Sequence, residues 1–200
     1  MTGSGSADRS GDTEVLWRAL PVARVVLLGY AVVVNAVHVD GYRRPALAWA
    51  VLGLLAAWTV AAPWVYAAVR HRPSAIGVEF ALAVGALLLT PAAQGSDAPA
   101  DAPSLASFWL AAPVVAAAVQ WEWRGGLVGA AVAGAAIVGE DVTANSELGN
   151  NTAANVFLLI VTALVVGYAA ELLRTSAEVR AQAVAARAAT AERERLARAV

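Results

Sequence analysis

Six apolar stretches, at residues 20–39, 46–69, 75–90, 105–121, 127–142 and 155–173, occupy most of this chain. A bilayer core of about 30 Å takes roughly 20 apolar residues in helical form, so each stretch is long enough, or nearly so, to cross it. Of the 200 residues, 60% are apolar, against roughly 45–50% in an ordinary soluble domain. The sequence therefore predicts an all-α membrane protein with about six transmembrane helices. The third and fifth stretches are the shortest, and the count depends on them most.

Punctuation follows the same scheme. Residues 1–14 are rich in Gly, Ser and Asp and read as a disordered lead. Pro21, Pro45, Pro73 and Pro103 stand at or near the starts of apolar stretches, where a missing N–H costs nothing. Pro63 and Pro113 fall inside stretches and predict kinks. All 14 basic residues are Arg. Arg9, Arg18 and Arg24 precede or open the first stretch, Arg70 and Arg72 follow the second, Arg124 follows the fourth, and Arg174 with five more follows the sixth. The intervening loops carry Asp97 and Asp101, or Glu140, Asp141 and Glu147; Arg43 and Arg44 are the exception. Basic residues stay on the cytoplasmic side, so a multi-pass plasma-membrane protein with both termini cytoplasmic is expected. The outer loops are too short for a folded ligand domain. A stimulus must then act within the bilayer, at its surface or from the cytoplasm.

The polar residues inside the apolar stretches are candidates for function. Glu79 lies seven residues beyond Arg72, and Arg24 six beyond Arg18. Both stretches run in the same direction, so the two side chains reach similar depth, roughly 10 Å in. An intramembrane ion pair Arg24–Glu79 is expected, either switchable in sensing or a static bond between helices. Asn35, His38 and Asp40, with Tyr42, line the outer end of the first stretch. Glu140, Asp141 and Asn145 line that of the fifth. If the two ends adjoin, they form an outer polar pocket for a proton, cation or small ligand, with His38 as the titrating group; otherwise they are interfacial caps. The chain has no Cys, and its two His residues are far apart, so neither a metal site nor a catalytic triad has material to build on. The run Trp121-Glu122-Trp123-Arg124-Gly125-Gly126 reads as an aromatic belt and a tight cytoplasmic turn. Gly125, Gly129 and Ala133 continue it at a spacing that lets helices approach closely.

The last stretch continues into a run rich in Ala, Arg and Glu through residue 200, composition that favours one long helix. Such a helix would cross the bilayer and project roughly 35–40 Å beyond it. Leu173, Ala177, Ala181, Val184, Ala188 and Ala191 recur at steps of three and four. They form a weak coiled-coil seam or one face of a solvated helix. The domain reading is a lead at 1–14, a six-helix transmembrane sensor at 15–173 and a cytoplasmic signalling helix at 174–200.

The final run, Thr190-Ala191-Glu192-Arg193-Glu194-Arg195-Leu196-Ala197-Arg198-Ala199-Val200, resembles the entry to the dimerisation and phosphoacceptor helix of NarL/NarX-type sensor histidine kinases. The membrane portion is similar to that of actinobacterial MacS-type kinases at Trp17-Arg18-Ala19-Leu20, at Tyr30 to Val37 with Asn35, and at Phe108-Trp109 with Ala112-Pro113. It is also similar at Trp121 to Gly126 and at Val166-Gly167-Tyr168. The resemblance implies the sensor and relay part of a homodimeric two-component kinase. In that family a phosphoacceptor His is expected just after Val200. ATP and Mg would serve a catalytic part outside these residues, a response regulator would receive the phosphoryl group, and no nucleic acid is involved. Neither the His nor the ATP-binding domain is among the 200 residues, which carry no catalytic group of their own. The rival expectations are a small multi-pass transporter or channel subunit, and a membrane scaffold that recruits a soluble partner.

Overall fold

The computed structural model describes residues 11–68, 72–95, 104–106, 108–145 and 152–198. Arg9, Arg70, His71, Asp97, Asp101, Pro103 and Glu147, and the lead at 1–10, lie outside them. Six α-helices follow in order, and no strand occurs among the described residues: α1 (Gly11–His38), α2 (Pro45–Ala68), α3 (Arg72–Leu88), the short α4 (Thr90–Gln94), α5 (Ala111–Asn145) and α6 (Thr152–Arg198). Among the described residues five helical stretches are long and apolar enough to cross a membrane: Trp17–Gly41, Pro45–Ala68, Pro73–Gln94, Ala111–Thr143 and Thr152–Arg198.

Burial is the reverse of that in a water-soluble bundle. Val22, Val25, Val33, Leu54, Trp64 and Phe157 face outward, whereas Arg24, Asn35, Thr59, Glu79, Thr90, Glu140 and Thr152 are buried. Large outward apolar faces over polar internal contacts are what a lipid solvent favours. The interior between helices is built largely from small residues, among them Ala48, Ala83, Ala116, Ala118, Ala133 and Ala163, with Trp109 fully buried among Leu55, Leu87, Leu105 and Leu110. Lipid is as apolar as Leu, so association between such helices rests on close packing rather than on exclusion of water.

Several boundaries differ from the sequence expectation. α1 begins at Gly11, so the end of the lead is helical and Pro21 lies inside the helix rather than opening it. Pro45 and Pro73 do stand in first turns, and Pro63 is internal to α2. The stretch at 105–121 is helical only from Ala111, with turns at 105–106 and 108–110; Pro113 is thus the third residue of its helix and introduces no kink there. α3 ends at Leu88, and a further turn, α4, follows with Pro91 near its start.

α5 folds back on itself. Trp121 (φ −126°, ψ 21°) and Glu122 (φ 61°, ψ −157°) leave the helical region. A Cβ placed on Gly129 would lie 3.4 Å from Ala117 Cβ and 3.5 Å from Val114 Cα. In a straight helix residues 114 and 129 would be about 22 Å apart. Residues 111–120 and 123–145 are therefore two antiparallel limbs joined by a two-residue elbow, and α6 packs chiefly on this hairpin.

Candidate functional site

Among the described residues, two assemblies centred on an arginine stand out among the polar links between helices. The first is buried between α1, α2 and α3. Arg24 Nε donates to Glu79 Oε1 and Arg24 Nη2 to Glu79 Oε2, both at 2.7 Å, with the side chains 1% and 0% exposed. The two residues counted to equal depth are thus brought together, in the bidentate geometry that matches the planar guanidinium to a carboxylate. Tyr66 Oη donates to Glu79 Oε2 at 2.6 Å, and the Arg24 guanidinium sits 4.9 Å above the Tyr66 ring. Trp17 closes the group, its ring 5.4 Å from that of Tyr66. The two carboxylate oxygens thus accept three hydrogen bonds, the kind of compensation a charge needs in an apolar interior. Tyr66→Phe removes one charge-assisted bond while leaving the ion pair, and a loss of about 1.5 kcal/mol is expected. Thermal unfolding of the two proteins in one detergent measures it, and an unchanged midpoint would show that the hydroxyl contributes nothing.

The second assembly joins α6 to the α5 elbow. Arg174 Nη1 donates to Glu122 Oε1 at 2.7 Å, while Nη2 donates to the carbonyls of Val119 at 2.8 Å and Gln120 at 3.1 Å. These carbonyls end the first limb, where helical partners run out and the dipole favours a cation. Seven residues earlier on α6, Gly167 meets the elbow backbone: a Cβ there would fall 2.4 Å from both N and Cα of Trp123. Glu122, at φ 61°, occupies a backbone region that favours glycine, and Arg174 holds its carboxylate there.

The residues read as one polar pocket if their helix ends adjoin, and as interfacial caps otherwise, take the following partners. Asn35 is buried, donating to Ala31 O at 2.7 Å and accepting from Tyr42 Oη at 2.6 Å. Burial pushes the Tyr42 phenol above its ordinary range, against the smaller effect of its bond with Gln94, so it remains a donor. His38 is exposed, its Nδ1 2.7 Å from Val34 O, and Asp40 is exposed beside it. At the far end of α5, Glu140 is buried and Asp141 Oδ2 accepts from Thr152 Oγ1 at the start of α6. The bonds of Asn35 and His38 stay within α1 and its loop, and that of Asp141 crosses to α6. Asn145 is the last residue of α5, and its side chain lies outside the described set. No group of three His, Asp or Glu able to hold a metal ion occurs among the described residues.

Along the seam, Leu173, Ala177 and Ala181 are partly covered, whereas Val184, Ala188 and Ala191 are exposed. Arg198 and Glu194 form an exposed pair one turn apart at 3.5 Å.

Tyr66 and the Arg174–Glu122 contact were not anticipated from sequence. The depth count that joined Arg24 to Glu79 would also have joined Glu122 to Arg174, since both stand at the same membrane edge of their stretches. Tyr66 offered no such signal, because an aromatic near the end of an apolar stretch reads equally as an interfacial anchor.

Among known proteins, the profile of a family of unknown function, DUF5931, matches residues 8–181. The chain belongs to the DUF5931 family. That match covers both polar assemblies of this DUF5931 protein and all five apolar helical stretches at least in part. No curated protein and no solved structure matches it.

Proposed function

We propose that this DUF5931 chain is the membrane sensor and signal-relay module of a homodimeric two-component sensor histidine kinase, with six membrane crossings and both termini in the cytoplasm. The apolar stretch 105–121, which the first limb of α5 closes, and the second limb count as separate crossings, and the elbow lies on the side where α6 leaves the membrane. Autophosphorylation on His, with ATP and Mg, and transfer to a response regulator belong to a catalytic part outside residues 1–200.

The observation that carries this proposal is α6 itself: 47 residues of unbroken helix, Thr152–Arg198, clamped to the bundle by Gly167 and Arg174 at the elbow. At about 1.5 Å per residue it is some 70 Å long, so a displacement at the clamp is delivered well beyond the bilayer. Two arrangements of the clamp differing by a few kcal/mol suffice to change output. The stretches that carry the kinase resemblance also meet in space: Gly167 packs on the Trp123 backbone, and Tyr30 stacks edge-to-face on Phe108 at 4.5 Å. The exposed apolar side chain of Val184, on the seam of the projecting half, suits a second copy better than water.

The chain has no Cys, so single cysteines can be placed at will. Oxidative cross-linking in membranes is expected to be strongest at Ala177, Ala181, Val184 and Ala188 and weak at the positions between them. Uniform or absent cross-linking along α6 contradicts a parallel dimer seam.

A further inference from the structure

Beside the buried ion pair, between the first half of α1 and the last turns of α2, lies a cavity of about 330 Å³. Its α1 wall is Trp17, Arg18, Pro21 and Arg24, and its α2 wall includes Pro63 and Tyr66. The volume is at the lower end for small-molecule sites, room for a headgroup and its glycerol but not for acyl chains.

The polar part of the wall is made of donors. Both charged lining residues are Arg, and guanidinium groups have no acceptor. Arg24 turns Nε and Nη2 to Glu79, and the carboxylate itself does not line the space. A ligand here must therefore be rich in acceptors. A quaternary ammonium is disfavoured twice: Arg18 stands in the wall, and the Tyr66 face that would receive a cation already carries the Arg24 guanidinium at 4.9 Å.

The position selects among acceptor-rich ligands. Trp17 begins the membrane-spanning part of α1, the level at which Trp anchors at the interface. Arg24 lies about 10 Å further along the helix. Arg18 thus stands at the level of the lipid phosphates, with Pro21, Pro63 and the Tyr66 ring in the same wall.

We propose that this cavity binds the phosphodiester headgroup of an anionic phospholipid, Arg18 taking the phosphate, with the acyl chains left in the surrounding bilayer. The proposal is independent of whether the chain serves a kinase.

Native mass spectrometry of the full chain in micelles doped with equal phosphatidylglycerol and phosphatidylcholine tests it. Phosphatidylglycerol is expected to be retained about fivefold over phosphatidylcholine, the discrimination one basic contact near a lipid surface confers. Arg18→Gln should abolish the preference, and Arg180→Gln, which removes the same charge from α6, should leave it. Helix content by circular dichroism should be unchanged in both. Photo-crosslinking of the unaltered protein with a diazirine-bearing phosphatidylglycerol should label residues 17–24 and 63–67. Equal retention of the two lipids, equal loss in both variants, or labelling elsewhere overturns the proposal. Displacement of the lipid by millimolar glycerol phosphate would assign the cavity to a soluble phosphate ester instead, and so overturn the lipid as its occupant.

Discussion

Glu79→Ala is expected to destabilise the protein by about 3–5 kcal/mol, the usual consequence of removing one partner from a buried ion pair. The Arg24 side chain is 1% exposed and would keep its charge with no carboxylate beside it. Tyr66 Oη would lose its acceptor at the same time, leaving a second buried polar group unpaired. Glu79→Gln should fall between the two proteins, since an amide oxygen still accepts but offers no charge. The double variant Arg24→Met, Glu79→Leu should recover most of the loss, because apolar replacement of a whole buried pair is often neutral. Thermal or denaturant unfolding in nanodiscs measures all four. If Glu79→Ala unfolds at the same midpoint as the unaltered protein, the ion pair does not hold α1 to α3.

Gly167→Ala carries the second large effect, and it is specific to one side of one helix. The added methyl would overlap backbone atoms of Trp123 at 2.4 Å, which no rotamer change can relieve, so α6 must withdraw from the elbow. Overpacking of this kind costs about 1–3 kcal/mol, and withdrawal also lengthens the Arg174 contacts seven residues on. Gly29→Ala is the matched control: it too lies within a membrane helix, but nothing stands within 4 Å of its Cβ position. There the higher helix propensity of Ala should leave stability equal or raised by up to about 1 kcal/mol. Equal unfolding midpoints for the two variants would mean that the elbow does not bear on α6.

Periodicity and depth were the parts of this structure legible from the chain. Apolar runs marked the helices because a bilayer demands length, and counting residues from a membrane edge brought Arg24 to the level of Glu79 because α-helical rise is constant. What escaped were features set by contact between helices. Pro21 reads as an opening residue, yet the chain before it is helical, and no local pattern says that ten preceding residues will join α1. The run at 121–126 was legible as a turn, but the reversal sits at Trp121 and Glu122 rather than at the two glycines. Gly125 and Gly126 serve packing instead: a Cβ on Gly126 would meet Ala118 Cβ and the Ala163 carbonyl at 2.9 Å. The outer residues illustrate a further limit. Asn35 and Glu140 are both polar and both toward the ends of their helices, but facing directions decide whether they share a pocket, and Asn35 faces Tyr42.

The central claim, that these 200 residues serve a histidine kinase, is tested most directly by expressing the whole open reading frame that contains them and incubating the product with γ-labelled ATP and Mg. The account predicts an acid-labile phosphoryl group on a His immediately beyond Val200, passed on to a response regulator. A reading frame without that His, or a full-length product that takes up no label, would contradict it.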